Sequence, residues 1–196
     1  MPQESHSGLN GQPQSATVYT IGHGSRSIED FLDILQCVGV TCVADARAYP
    51  MSRRYPDYSR PRLSTCLEQA GISYLWLGTT LGGFRKALPS SPNVALAAAG
   101  FRGYADHMCG GVFLDGIEEL LIHSRQRPTA ILCAERLPQE CHRSLIADYL
   151  LARDVAVIHL IDLHHQVPHR LNKLARWEEG QLVYDKGTTE QLGLEL

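Results

Sequence analysis

Hydrophobic positions along this chain switch repeatedly between a short continuous run and a helical spacing. Val18-Tyr-Thr-Ile21 reads as a first strand. Ile28, Phe31, Leu32, Leu35 and Val38 follow at helical spacing, with Ser27 placed to cap that helix and Gly39 to stop it. Val40-Thr-Cys-Val-Ala44 is a second strand. Leu63, Cys66, Leu67 and Ala70 mark a second helix, closed by Gly71, and Ile72-Ser-Tyr-Leu-Trp-Leu77 is a third strand. Gly78 to Asn93 carries Gly, Pro and Ser and reads as loop. Phe101 to Met108 and Ile117 to Arg125 have helical spacing. Pro128 precedes a fourth strand, Thr129 to Cys133. A helix over Ser144 to Arg153 leads to a fifth strand, Val155 to Ile161. Beyond Asp162 the chain turns polar and shows no core pattern.

Short apolar strands that alternate with helices predict an α/β fold. The expectation is a single three-layer domain with a mainly parallel sheet of about five strands and helices on both faces. The domain runs over 16–196, without internal repeat or linker. A disordered N-terminal tail, 1–15, is expected from its Ser, Gln, Gly and Pro content and lack of an apolar core.

Ligands of such sheets sit beyond the carboxyl ends of the strands. In this chain the chemistry-bearing residues follow the strands. Gly22-His23-Gly24-Ser25-Arg26 follows the first, Asp45-Ala46-Arg47 the second, and Leu81-Gly82-Gly83-Phe84-Arg85 the third. Cys133-Ala134-Glu135 follows the fourth and leads to Cys141-His142-Arg143. Asp162, His164 and His165 follow the fifth. The segments that enter the strands are plainer. A parallel sheet would gather these groups on one rim.

The turn from Gly22 to Arg26 opens a helix whose free N–H groups suit an anion, and His23 and Arg26 add donors. It lacks the dinucleotide-binding glycine fingerprint and a P-loop lysine. Asp45 and Arg47 fit two roles equally, an internal ion pair or a proton acceptor beside an anion clamp. Arg53, Arg54, Tyr55, Arg60 and Arg62 form a basic run with interleaved aromatics, suited to a solvated loop or to a phosphate-bearing ligand.

The densest cluster is Cys133-Ala-Glu-Arg-Leu-Pro-Gln-Glu-Cys141-His142-Arg143. Cys141, beside His142 and Arg143 at a helix start, suits a nucleophilic thiolate. Cys133, Cys141 and His142 together suit a soft metal, although the seven-residue gap between the cysteines is no compact knuckle. Core thiols with a structural Glu135 are the third reading.

Bulk properties narrow the function classes. The chain has 196 residues and a net charge of −3, so charge announces no general nucleic-acid surface. No apolar run reaches the roughly 18 residues of a membrane span. The six cysteines lie in a chain too long for a disulfide scaffold. Cys37, Cys42 and Cys66 fall in apolar patterns and are expected in the core. A cytoplasmic, reducing location is the corresponding expectation.

Taken together, Ile21-Gly-His-Gly24, Asp45-Ala-Arg47, Leu81-Gly-Gly83, Tyr104-Ala-Asp-His-Met108 and Cys133-Ala-Glu…Cys141-His-Arg143 resemble the domain-of-unknown-function 488 family. The likeness runs from about Tyr19 to Leu174. It implies a compact α/β domain with a shared polar site at Gly22, His23, Asp45, Arg47, Gly82, Gly83, Cys133, Glu135, Cys141, His142 and Arg143. Two positions depart from the family pattern. Gly24 stands where Ser is common, so a hydroxyl role there is absent or passes to Ser25. Leu137 stands where an acidic residue is common, which removes a cap from the helix that Pro138 begins. Pro168-His169-Arg170-Leu171 also resembles the family and nominates His169 for the rim.

The combined reading is an intracellular, enzyme-like domain that binds a polar or anionic small molecule or nucleotide. Cys141, Glu135, His142, Asp45 and His23 are the candidate catalytic residues. Gly22, Gly24, Ser25, Arg47, Gly82, Gly83, Cys133 and Arg143 are the candidate ligand-binding residues. A metal protein using Cys133, Cys141 and His142, a ligand sensor or interaction module, and a nucleic-acid-processing enzyme are the alternatives.

Overall fold

The computed structural model describes residues 17–187. The expected tail over 1–15 lies outside them. Strands β1 (Thr17–Gly22), β2 (Cys42–Asp45), β3 (Ser73–Trp76), β4 (Thr129–Cys133) and β5 (Ala156–Leu160) are parallel, and β6 (Gln166–Pro168) adds antiparallel to β5. The order across the sheet is β3-β2-β4-β1-β5-β6. The helices are α1 (Ile28–Cys37), α2 (Arg60–Gln69), α3 (Ala99–Met108), α4 (Gly111–Gln126) and α5 (Arg143–Leu151). A second sheet is the hairpin of β7 (Ala175–Glu178) and β8 (Gln181–Tyr184).

Side chains alternate across a strand, and the core divides accordingly. Ala130 and Leu132 of β4 join a cluster with Phe31, Leu35, Leu63 and Leu67 of α1 and α2. Ile131, between them, joins a cluster with Tyr104, Phe113, Leu120 and Leu145 of α3, α4 and α5. Ser27 caps α1, accepting the Asp30 N–H at 3.1 Å.

Three sequence expectations need correction. Cys37 is exposed, while Cys42 is buried and Cys66 half-buried. It ends α1, and the buried face of that helix is set by Phe31, Ile34 and Leu35. Pro138 begins no long helix, only a 3-10 turn, Pro138–Glu140, whose preceding Leu137 supplies no side-chain cap. The region beyond Asp162 is structured, because β6 to β8 are too short for a period to show. Ala175, Leu182 and Tyr184 are buried in it.

That C-terminal region closes a buried polar chain. Tyr184 Oη and the Asn172 N–H donate to the Asp148 carboxylate at 2.9 and 2.8 Å. Asp148 meets His169 Nε2 at 2.9 Å, His169 Nδ1 meets His159 Nε2 at 2.9 Å, and His159 Nδ1 meets Thr20 Oγ1 at 2.7 Å. Arg143 donates to the same Thr20 hydroxyl at 3.3 Å. Arg143 can only donate and the Asp148 carboxylate accepts, so a chain with one hydrogen per link runs in a single direction, from Arg143 toward Asp148. His169 therefore sits beside β5, its N–H on the Val157 carbonyl, and not on the carboxyl rim.

Burial, with His169 and Arg143 nearby, pushes His159 down to about 4. An unfolded histidine takes its proton near pH 6.5, the folded one only near 4, so protons favour the unfolded chain between these values. Stability is fully present above about pH 6.5. It should fall on acidification by up to about 1.4 kcal/mol per pH unit for this residue, levelling below its folded pKa. Urea unfolding at several pH values checks this, and His159→Gln should flatten the slope.

Candidate functional site

Strand β4 lies between β1 and β2, so Cys133 at its end occupies the middle of the carboxyl rim. Gly22 is its register partner on β1, and Asp45 ends β2 beside Leu132. From Cys133 the chain loops outward through the 3-10 turn and returns at Cys141, just before the start of α5 at Arg143. Arg143, 1% exposed, pins the loop from beneath. Its guanidinium donates to the carbonyls of Glu135 at 2.8 Å and Arg136 at 3.3 Å. Gly22 makes room for that contact, since a Cβ there would lie 1.7 Å from the Glu135 carbonyl oxygen.

The return places two sulfurs around one imidazole nitrogen. His142 Nδ1 lies 3.8 Å from Cys133 Sγ and 3.7 Å from Cys141 Sγ. His142 Nε2 lies 3.1 Å from the Ala46 carbonyl. A carbonyl only accepts, so Nε2 carries the hydrogen and a neutral ring aims its Nδ1 lone pair at the sulfurs. The ligand atoms of Cys133, Cys141 and His142 all lie within 4.8 Å of one another. Gly83 borders the ring, and a Cβ there would stand 3.0 Å from Nδ1.

The two thiols are unequal. Burial raises the Cys141 thiol, but the hydrogen bond from Cys133, the neighbouring His142 and the charge of Arg143 hold it well below the usual range. Its sulfur also accepts the Arg143 backbone N–H at 3.4 Å, at the start of α5. The hydrogen bond to Cys141, burial and the nearby Cys141 and Glu135 charges push Cys133 well above that range. The shared proton therefore stays on Cys133, whose sulfur lies 3.0 Å from Glu135 Oε2.

Above this cluster opens a cavity of about 470 Å³. Cys133, Cys141, His142, Glu135, Arg47 and Gly83 line it. So do residues that were not site candidates in the sequence: Tyr49, Met51 and Phe101, with Phe84, Tyr104 and Glu140 known only as parts of motifs. Phe84, a large aromatic beside two loop glycines, was the available signal.

Other expected site residues are placed around the cavity without facing it. Asp45 is fully buried and holds Arg47 through two bonds, of 2.8 and 2.6 Å, and Tyr74 Oη donates to it at 2.6 Å. Arg47 also donates to the Tyr58 carbonyl at 2.8 Å. The two residues therefore form an internal pair on the cavity wall. His23 stacks on Tyr58 at 4.3 Å, and burial and Arg47 push it down to about 4. Gly24 takes a left-handed conformation at φ 55° over Arg136. Gly82 packs on the Gly78 carbonyl and Ala48. Ser25 borders a separate hollow of about 320 Å³ with Arg26, Arg136 and Asp162. A larger cavity, about 830 Å³, lies over His159 and His169, but both nitrogens of each ring already have partners.

Among the described residues, no helix is long and apolar enough to cross a membrane. No curated protein and no solved structure gives a significant match to the chain. The family model described as Domain of unknown function DUF488 matches residues 27–150. The match takes in Asp45, Arg47, Gly82, Gly83 and the whole cluster from Cys133 to Arg143, and leaves out Gly22 to Ser25 and His169. It spans more than half of the sequence, and its residues build every wall of the cavity above the two thiols; the chain belongs to the family described as Domain of unknown function DUF488.

Proposed function

We propose that Cys133, Cys141 and His142 hold a soft divalent ion of the zinc class, and that a polar ligand in the cavity meets its open fourth position. The aim of His142 Nδ1 at both sulfurs, 3.7 and 3.8 Å away, carries this reading. Tetrahedral zinc, with bonds of about 2.3 Å to sulfur and 2.0–2.1 Å to nitrogen, implies nitrogen–sulfur edges of roughly 3.6 Å. The Ala46 carbonyl supplies the outer partner that orients a ligating imidazole. Three protein ligands with an open side suit a catalytic ion better than a structural one.

Glu135 is exposed, lines the cavity and stands beside the cluster, which suits a proton acceptor. Such an ion is a Lewis acid and makes a bound water more acidic. The reaction class this favours is hydrolytic attack on the ligand. Binding the ion displaces the proton that Cys133 now keeps. Arg47 and Asp45 stiffen the wall as a pair, and Arg143 holds the loop.

One observation favours a second reading, a metal-free Cys141 nucleophile with His142 as its base. It is the Arg143 N–H on the Cys141 sulfur at the start of α5.

Elemental analysis of protein made in metal-supplemented medium, without a metal-affinity tag, separates the two. About one ion per chain is expected, with Cys141→Ser and His142→Gln weakening affinity at least tenfold. Metal-free protein whose Cys141 alkylates faster than free cysteine at pH 7 would replace the first reading by the second. Metal-free protein with a slow Cys141 would remove both. Glu135→Gln should keep the ion at full stoichiometry while losing turnover. Loss of the ion in that variant would make Glu135 a fourth ligand and close the site.

A further inference from the structure

The mouth of the cavity is built unlike its floor. Phe84 is 89% exposed, Tyr49 76% and Met51 75%, so three large apolar side chains ring the opening in contact with water. Phe84 also sits at φ 61°. A bulky residue in that conformation is strained, and such strain persists only where surrounding contacts fix it. Here Arg85 fixes it, donating to the carbonyls of Gly82 at 3.0 Å and Thr79 at 2.9 Å. The loop is thus braced in a shape that turns an aromatic ring outward. The Tyr49 ring lies 6.1 Å from it, tilted by 47°. Two faces so placed offer a flat ring a surface on which to stack.

Cations adjoin the mouth residues along the chain. The stretch 53–62 holds Arg53, Arg54, Arg60 and Arg62 against Asp57, and Arg85 and Lys86 follow Phe84 directly, in a chain whose net charge is −3. Of these cations, only Arg62 has a carboxylate partner among the described residues, Asp57 at 3.2 Å. Arg60 lies over the Trp76 ring, at the end of β3, and so on the same rim. The interior is less basic, because its one arginine, Arg47, is already paired with the buried Asp45. Glu135 and Glu140 line it, and they disfavour an anion there while accepting N–H groups. A ligand matching this pattern is flat, carries N–H donors at its inner end and carries an anion at its outer end. A space of about 470 Å³ is in the ordinary range for such a molecule.

We propose that the cavity receives a nucleotide, base inward past Phe84 and Tyr49 and phosphate outward on the Arg53–Arg62 and Arg85–Lys86 stretches. The nucleotide is either free or part of a single strand with one base turned out. This inference rests on the reading of the cavity as the ligand site, but not on the presence of the ion.

The test uses the full chain. Fluorescence anisotropy with a labelled single-stranded oligonucleotide is run beside equilibrium dialysis with the common nucleoside monophosphates. Binding in either arm is expected, weakening steeply as salt rises. Phe84→Ala should weaken it roughly tenfold or more, because stacking on an aromatic ring carries much of single-strand affinity. Arg53→Glu with Arg54→Glu should weaken it and flatten its salt dependence. These positions are exposed, and unchanged thermal unfolding of each variant confirms an intact fold. Binding of the oligonucleotide alone assigns a strand, and binding of a monophosphate alone assigns a free nucleotide. No binding in either arm, by protein that carries its metal, overturns the nucleotide and leaves the metal reading standing. Binding that survives Phe84→Ala unchanged, or that is as tight for duplex, also overturns it, because charge alone would then explain the contact. Nucleotide binding by protein with no metal supports the ligand while the metal reading fails.

Discussion

The buried guanidinium of Arg143 is the constraint on which the rest of the rim depends. It reaches up to the carbonyls that follow β4 and across to Thr20 on β1. Its Nε has no partner among the described residues, so some of its hydrogen-bonding capacity is given up for position. A cation with almost no access to water needs fixed oxygens around it. The loop after Cys133 supplies them, and in doing so takes the one path that returns Cys141 and His142 to the end of the strand.

Two designs of polar group meet along that rim. One is saturated: Asp45 with Arg47 and Tyr74, and His159 with His169 and Asp148, leave no reactive atom idle. Such groups hold shape. The other is unsaturated. His142 offers one nitrogen to two sulfurs at a distance longer than an ordinary hydrogen bond, and Glu135 stands exposed beside them. That contrast separates framework from chemistry in residues that look equally reactive on paper.

The parallel sheet was legible because its strands are short apolar runs between helices of clear period, and the rim followed from the direction of those strands. Cys133, Glu135, Cys141 and His142 stood out for the same reason, as reactive residues just past a strand. The depth of each residue was not legible. Asp45-Ala-Arg47 reads equally as pair or as site until Tyr74, from a strand distant in sequence, is seen to donate to it. Tyr49 and Met51 carry no chemical signature, and only folding brings them to one opening with Phe84. Strands β6 to β8 escaped notice because three or four residues cannot display an alternation, and their apolar positions are bound by long-range packing.

The hydrogen bonds from Arg143 to Asp148 have a single polarity, which gives the C-terminal hairpin more weight than its length suggests. Each ring is confined to one tautomer by the next, so reversing one means reversing all. Tyr184 and Asn172 supply two of the hydrogen bonds that meet the Asp148 carboxylate away from water. A shortened chain without the hairpin would strand that carboxylate, loosen the imidazoles behind it and, through Thr20, slacken the clasp on the thiol loop. The last strands are thus a distant fastening of the pocket, joined to it by protons rather than by contact.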